Sequence, residues 1–442
     1  MKKMVRKTIG IVSMLAICTC AQAYYSEVMN SQGTTVNLKD YSLVDDNAES
    51  NQSALVQKAV DELSAQGGGC LIIPRGTYRF SGIWMKNNVH ILIERGTVIK
   101  AYWPKGQVVD VFKFDAEEDY TYVENISVRG LGGRYTIDYT ERGKVYGEGA
   151  RFVNVGQVKN FLIADALVLD NYTNFCAIAV GLSKVVDIHQ KPRFRPTHGT
   201  VKNISIYNSG EGYGLTQLHR ADHLTFENLY AKGGGITFRL ETGGGGIHAG
   251  IHDIYARNVV CEEGRQAVMM GPHTAQNGTV GIDGITAIQC AWAVTIGNGF
   301  IDRKHEGVKE AKLGKFADDS YVKNIRVVYG EDAIVLTKRI DRYPDASIRK
   351  FRAPESRFMW SFRGPSLGGV DNMAESYKVT VENVIMEGFP QFTEAEMNAN
   401  SGKKREELLK DVPSWELVRE LFKRKQNKTY VMDENILKKY FK

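Results

Sequence analysis

The 442-residue sequence has little of what marks several large classes of protein. It contains 10 Pro and 6 Cys, too few cysteines for a disulfide scaffold in a chain of this length. No Cys or His cluster has zinc-site spacing, and no G-x-S-x-G nucleophile elbow occurs. Beyond the N-terminal region no apolar run approaches the ~18 residues of a membrane-spanning helix. The 43% apolar and 10% aromatic content therefore predicts an ordered protein with a core and no membrane span.

The first residues predict an export signal. Four basic residues lie before an apolar run at 9–17, which leads to the small-residue site Ala21-Gln22-Ala23. A membrane anchor and a lipoprotein signal are the alternatives, but the run is too short for the first and the cysteines at 18 and 20 lack a preceding small residue for the second. We therefore expect residues 1–23 to be removed and the mature protein to be secreted or periplasmic.

The net charge of +6 is unevenly distributed. The signal carries four positive charges, and residues 401–442 carry a net +5, so residues 24–400 are left at −3. A slightly acidic body gives no indication of nucleic-acid binding. Any attraction for an anionic partner must therefore be local.

A short motif recurs, in which one polar or small residue precedes an alternating apolar pair. The units begin at Asn88, Asn125, Asn160, Asn203, His223, Asp253, Gly284, Asn324 and Asn383. Irregular repeats of short period-two strands are typical of a parallel β-helix, in which the polar residue recurs at one corner as a ladder. An antiparallel sandwich or barrel is the alternative, but hairpin turn signals are scarce.

The predicted fold is all-β, a right-handed parallel β-helix over residues 24–400. A helix at 53–63, stopped by glycines 67–69, is expected to cap its N-terminal end. Residues 401–442 are expected to form a basic helical tail, packed on the solenoid or trailing from it. The four cysteines left after signal removal, Cys70, Cys176, Cys261 and Cys290, could pair or remain buried thiols, and the sequence leaves both open.

One strand presents two charged residues on its outer face. In the segment 236–241 the residues Ile236, Phe238 and Leu240 share one face, so Arg239 and Glu241 share the other. A nearby Arg lowers the pKa of a carboxyl group, whereas a general acid needs a raised pKa. An exposed ion pair is therefore the plain alternative to a catalytic role.

Polar residues of the neighbouring coils fall near this pair. Gln217 and His219 alternate outward one coil earlier, with Arg220 close by, and His273 follows a Gly-Pro turn one coil later. Because parallel coils stack about 4.8 Å apart, Gln217, Glu241 and His273 can form one transverse row. A polar outer face and a turn histidine that bonds only backbone are the alternatives.

Two groups of motifs resemble known families. Gly67–Pro74 with Gly76-Thr77-Tyr78 and Asn88–Gly96 is similar to the start of the pectate-lyase-like superfamily of right-handed β-helices, largely secreted polysaccharide-degrading enzymes. Gly212–Gln217, Gly234–Thr242 and Ala267–Thr274 resemble the iota-carrageenases, glycoside hydrolase family 82. This second likeness covers about residues 200–300, and it implies hydrolysis of a sulfated galactan with inversion.

The resemblance implies roles for particular residues. Glu241 matches the family's general acid, and Gln217 and His273 match its assisting amide and imidazole, whereas Gly243 stands where the family has its catalytic Asp. Inversion needs a second carboxylate about 6.5–9.5 Å from the first. Three alternatives follow: another carboxylate reaches the cleft, mechanism and specificity have drifted, or hydrolysis has been lost. The candidates for a replacement are Glu211, Asp253, Glu262, Glu263 and Asp302.

Arginines around the supposed groove are candidates for binding sulfate or carboxylate groups, because a guanidinium fork matches such anions. Arg193 and Arg195 lie in a loop with an aromatic residue between them, and Arg303 is a weaker candidate. Arg239, Arg220 and His219 complete the expected substrate-binding set. A plain solvated loop is the alternative for each loop residue.

The expected partner is a polysaccharide, and the protein is expected to be a monomer. No metal site and no cofactor are predicted, and structural calcium is left open. The rival functions are another β-helix polysaccharide-degrading enzyme, such as a pectate lyase or polygalacturonase-like enzyme, and a carbohydrate-binding β-helix without catalysis. A polygalacturonase is disfavoured, since the Asp pair at 318–319 has no Gly-His-Gly partner segment.

Overall fold

The computed structural model describes residues 29, 31–41, 45–117, 121–142, 148–183, 194–242, 247–336, 361–389 and 395–398. The predicted signal peptide at 1–23 and the predicted helical tail at 401–442 lie outside the described residues.

Parallel β-strands dominate the described chain. One α-helix, α1, spans Ser53–Ala65, and 3-10 turns span Leu38–Asp40 and Arg303–His305. The strands are β1 Thr34–Asn37, β2 Asn47–Asn51, β3 Gly69–Ile73, β4 Thr77–Phe80, β5 Ile83–Trp84, β6 Val89–Glu94, β7 Val98–Ala101, β8 Val109–Phe114, β9 Val123–Leu131, β10 Tyr135–Asp138, β11 Ala150–Val155, β12 Val158–Ala164, β13 Ala166–Leu169, β14 Ile178–Val180, β15 Thr197–Tyr207, β16 Gly214–Leu218, β17 Arg220–Lys232, β18 Ile236–Glu241, β19 Gly250–Glu262, β20 Gln266–Gly271, β21 Val280–Ile288, β22 Trp292–Ile296, β23 Tyr321–Val328, β24 Ala333–Leu336, β25 Ser361–Gly364, β26 Gly368–Asn372, β27 Thr380–Glu387 and β28 Glu396–Asn398.

These strands form two long parallel sheets that wind together as a solenoid. A ten-stranded sheet runs β5-β8-β11-β14-β16-β18-β20-β22-β26-β28, and the other sheet has sixteen strands. In the larger sheet β12 and β13 both pair with the long strand β15, so two columns of short strands merge into the bent strands β15, β17, β19 and β21. A two-stranded antiparallel ribbon, β24-β25, forms a separate sheet, and the amide of Ile334 in it donates a 2.9 Å hydrogen bond to the backbone oxygen of Gly264. The predicted right-handed parallel β-helix is confirmed.

The core lies inside the coils and follows the period-two pattern of the strands. In β18 the residues Ile236, Phe238 and Leu240 are all buried inward, as predicted. The ring of Phe226 on the opposite sheet lies 4.8 Å from that of Phe238. Each coil buries its inward side chains against its own far wall and against the coils above and below, because no coil is large enough to enclose a core alone.

The polar residues that open the repeats occupy corners of the solenoid. All nine have positive φ angles, between 51° and 78°, a region in which Asn, Asp and Gly are the least strained residues. They stack in two columns, one at each of two corners of the solenoid, whereas the sequence suggests a single corner. Side-chain bonds between adjacent coils join members of one column, Asn88, Asn125 and Asn160, and members of the other, Asp165, Asn203, Asn228 and Asn258.

The predicted N-terminal cap is present. Helix α1 buries Val56, Ala59, Val60 and Leu63 against the first coils, and its Gln57 accepts a 2.8 Å bond from the backbone amide of Trp84 in β5. The helix therefore covers the apolar end that the first coil would otherwise expose. All four described cysteines are buried free thiols, which resolves the alternative that the sequence leaves open.

The ladder predicts the effect of replacing one of its residues. Asn228 has φ 53°, bonds Asn203 at 2.9 Å and accepts a 2.8 Å bond from Asn258. Asn228→Ala should lower the free energy of unfolding by about 1–3 kcal/mol, because alanine is strained at this φ and both ladder bonds are lost. Asn228→Gly, which relieves the strain, should lose less. Urea unfolding measures both, and equal losses would contradict the contribution from strain.

Candidate active site

Two adjacent strands of the ten-stranded sheet and the turn after a third present polar side chains on one stretch of its outer face. Gln217 in β16 is in register with Arg239 in β18, and Glu241 in β18 is in register with Gly271 at the end of β20. The strand order carries the stretch to His273 in the turn after β20. The coil spacing thus brings together the residues that the sequence predicts as a row.

Glu241 is the centre of this group. Its Oε2 accepts a 3.1 Å hydrogen bond from Nε2 of Gln217 and also pairs with the Arg239 guanidinium. Its Oε1 lies 3.3 Å from Nε2 of His273. Gln217 and His273, from the coils on either side, therefore meet different oxygens of one carboxylate.

The surroundings of Glu241 keep it ionised. Burial alone would raise the pKa of Glu241, but the hydrogen bond with His273 and the positive charge of Arg239 outweigh burial and lower the pKa to about 2. His219 also faces this carboxylate, although burial lowers the pKa of its imidazole to about 4 and leaves it neutral at pH 7. At rest Glu241 is therefore a carboxylate and not a proton donor.

Arg239 has contacts that hold it beside Glu241. One guanidinium nitrogen donates a 2.6 Å hydrogen bond to the backbone oxygen of Gly212, and the guanidinium carbon lies 5.8 Å from the centre of the Tyr213 ring. Only 13% of the Arg239 side chain is exposed. The cation is therefore largely desolvated, and its pairing with the carboxylate is screened little by water.

A loop after β22 reaches the site through His273. The backbone oxygen of His273 accepts hydrogen bonds from the amides of Phe300, at 2.8 Å, and Gly314, at 2.7 Å. In the same loop, Oδ1 of Asp302 lies 3.8 Å from Nδ1 of His273. The imidazole of His273 therefore lies between the carboxyl groups of Glu241 and Asp302.

The other acids proposed as a second carboxylate have different surroundings. Glu211 is 2% exposed, and Asp253 lies on the larger sheet, 3.4 Å from His223. Glu262 and Glu263 both pair with Lys232, at 2.6 and 3.2 Å. Asp302 contacts His273, a neighbour of Glu241, at 3.8 Å. Gly243 lies outside the described residues.

The predicted substrate-binding residues are not all presented at the surface. Arg220 is 1% exposed, since the backbone of Gly181 packs against it, and burial lowers its pKa to about 10. The side chain is therefore enclosed, and its role in substrate binding stays a prediction. His219 is also buried, Arg195 is half-buried and Arg303 is exposed. Arg193 lies outside the described residues.

Among the described residues, Asp222, His223 and Asp253 have ligand atoms close enough to hold a metal ion, within 4.8 Å of one another. Asp222 lies 2.9 Å from Nδ1 of His223, and Asp253 lies 3.4 Å from Nε2. The two carboxylates meet opposite nitrogens of one ring, so the imidazole lies between them.

Two neighbours of the site, Tyr213 and Phe300, escape the sequence reasoning, which names Asp302 only as one of five candidate acids. Tyr213 lies in a quoted motif, but nothing in its spacing indicates that it stacks near Arg239. Phe300 lies in a loop without a repeat, and its ring lies 4.5 Å from that of His273. The pairing of Asp302 with His273 spans 29 positions across an irregular loop, so no strand periodicity could predict it.

The fold and the site define a class: a right-handed parallel β-helix with a carboxylate-centred polar site on the outside of one sheet. No model of a known protein family matches the chain. Among curated proteins, an iota-carrageenase of Alteromonas macleodii is 34% identical over 305 residues, which cover 66% of this chain and 60% of that enzyme. An iota-carrageenase of Zobellia galactanivorans is 29% identical over 413 residues, 78% of this chain and 81% of that enzyme.

Solved structures agree with these matches. A galactohydrolase whose name specifies galactose-4-sulfate and 3,6-anhydrogalactose-2-sulfate has a TM-score of 0.75 and 27% identity, over 85% of this chain and 93% of that one. An iota-carrageenase from A. fortis has a TM-score of 0.74 and 26% identity, over 85% and 92%. The chain is therefore similar to iota-carrageenases in both sequence and fold. It spans 60% of the Alteromonas relative's length.

Fold alone links the chain to a bacteriophage tailspike protein, at 13% identity and a TM-score of 0.51. In the described part of the chain no helix is long and apolar enough to cross a membrane.

The ion pair at the site makes a prediction about titration. Arg239→Met should raise the pKa of Glu241 from about 2, because the variant removes a positive charge from a largely buried carboxylate. A pH titration of the Glu241 carboxyl carbon by NMR measures the change. Arg257→Met is the matched control, since Arg257 pairs with Glu227 on the larger sheet. An unchanged Glu241 pKa in Arg239→Met would contradict this account.

Proposed function

We propose that the protein is a secreted glycoside hydrolase that cleaves a sulfated, carrageenan-like galactan within the chain. The observation that carries the proposal is the convergence of Gln217, Arg239 and His273 on Glu241. The similarity to iota-carrageenases supports the substrate class. In this proposal Glu241 is the general acid, and Gln217 and His273 position it, while export follows from the signal expected at residues 1–23.

A general acid must carry a proton, so the low pKa of Glu241 has to rise when substrate binds. We infer that a sulfate group of the substrate takes over the Arg239 guanidinium. A sulfate accepts the same forked hydrogen bonds as a carboxylate, and its negative charge lies close to Glu241. Both effects raise the pKa of Glu241, so the anionic substrate itself helps to protonate the acid.

Asp302 is proposed as the general base. The imidazole of His273 lies between the two carboxyl groups, 3.3 Å from Oε1 of Glu241 and 3.8 Å from Oδ1 of Asp302. Because one ring spans the gap, the distance between the carboxyl groups stays below the upper end of the range of about 6.5–9.5 Å that inverting enzymes show. In this proposal the attacking water lies beside Asp302, on the face of the sugar opposite Glu241. Asp302 would thereby act as the base in place of the catalytic Asp that the iota-carrageenases have at the position of Gly243.

The acid assignment has a direct test. The protein should release new reducing ends from iota-carrageenan without absorbance growth at 235 nm, since a lyase would create an unsaturated product and a hydrolase would not. Glu241→Gln should lower kcat by about 10²-fold or more, because the amide cannot donate a proton as the acid does.

The control is Glu227→Gln, the same change in a carboxylate that pairs with Arg257 on the larger sheet. It should leave the rate unchanged. Unchanged rates in Glu241→Gln would reject the site, and growth at 235 nm would reject hydrolysis. Saturable binding without new reducing ends in the unmodified protein would favour a carbohydrate-binding protein without catalysis.

The base assignment makes a separate prediction. Asp302→Asn should lower kcat by about 10²-fold or more, because the attacking water loses its proton acceptor. Proton NMR of fresh product from the unmodified protein should show inversion at the new anomeric centre. The control Asp318→Asn changes an exposed acid in the same region. Retention of configuration, or full activity in Asp302→Asn, would overturn the role of Asp302.

A further inference from the structure

The loop after β22 concentrates exposed apolar side chains beside the site. In the part of the chain that the structure describes, eight large hydrophobic side chains are exposed, and four of them lie between 300 and 313. A folded surface normally scatters such residues singly, and a cluster marks a surface that binds something. The four are Phe300, Ile301, Val308 and Leu313, exposed by 45%, 38%, 36% and 52%.

Phe300 is the member of this cluster that touches the site. Its ring centre lies 4.5 Å from that of His273, with the two planes tilted by 42°. Its backbone amide donates a 2.8 Å hydrogen bond to the backbone oxygen of His273. The ring is therefore held in place on one side and open to solvent on the other, as a binding platform requires.

We propose that Phe300 is a specificity-determining residue whose open ring face binds the 3,6-anhydro sugar of a sulfated galactan. The inference rests on the proposed function. An anhydro bridge replaces two hydroxyl groups by one ether oxygen, which leaves the sugar with a more apolar surface than an unbridged galactose. The Phe side chain has no polar atom, so it packs well against such a surface and cannot form hydrogen bonds with the hydroxyl groups of an unbridged sugar.

A nearby charge suits the same sugar. Arg303 follows three positions after Phe300 and is exposed, and Asp302 between them faces His273. One short segment thus offers an apolar ring, the carboxylate proposed as base and a cation. In this proposal the ring of Phe300 contacts the apolar surface of the sugar, Asp302 activates the water that cleaves its bond, and Arg303 binds its sulfate group.

Binding measurements test the platform independently of cleavage. The Glu241→Gln variant serves as the parent, since its ligand stays intact, and calorimetry measures its affinity for two sulfated galactan oligosaccharides, one with the anhydro bridge and one with unbridged galactose. Adding Phe300→Ala should weaken binding of the bridged ligand about tenfold and of the unbridged ligand less than about threefold. Phe300→Trp should keep the preference for the bridged ligand.

Leu313→Ala is the matched control, because Leu313 is at least as exposed in the same loop and has no ring contact with His273. It should change neither affinity, and circular dichroism should show the same thermal transition for every variant. Equal weakening for both ligands, or none, overturns the role of Phe300 while leaving the proposed function standing. If the parent binds neither oligosaccharide, the proposed function fails together with this inference.

Discussion

The structure depends on the parallel register between successive coils. Strands of neighbouring coils lie about 4.8 Å apart, so a residue finds its neighbours one coil away at a position that the register dictates. Gln217 therefore lies beside Arg239, and Glu241 beside Gly271, across sequence gaps of 22 and 30 positions. A one-residue slip would turn Glu241 into the core and Leu240 out to solvent. The corner ladders oppose such a slip, because each corner side chain bonds the corner side chain of the adjacent coil.

Two opposing effects act on the charge of Glu241. Burial disfavours the charge on Glu241, while Arg239 and His273 favour it more strongly. A strongly ionised carboxylate is a poor proton donor, so this arrangement makes chemical sense only if the ligand changes the balance. A sulfated chain brings negative charge to Arg239, which connects the anionic character of the proposed substrate with the proton that the reaction needs. The acidic body of the protein does not oppose this, because the attraction acts over a few ångströms.

The site also has two kinds of support. Strands hold Gln217, Arg239 and Glu241, whose positions follow from the register. A loop supplies Phe300 and Asp302, and two backbone hydrogen bonds to the oxygen of His273 connect that loop to the solenoid. Strands thus carry the residue proposed as the acid, and the irregular loop carries the groups that are proposed to recognise the sugar and activate water. This division is common in enzymes built on regular scaffolds.

Much of the fold follows from the sequence alone, because its signals are local. Period-two strands, the capping helix and the left-handed corner residues each depend on a few neighbouring positions, and all three are found. The repeats could not reveal that the corner residues form two columns, since assignment to a column requires the register. For the site, alternation predicted that Arg239 and Glu241 share the outer face, and coil spacing predicted that Gln217 and His273 lie near them. Tertiary structure alone decided that Arg220 is buried beneath Gly181, that Asp302 faces His273 and that Phe300 lies over its ring, because burial and loop contacts depend on how distant segments pack.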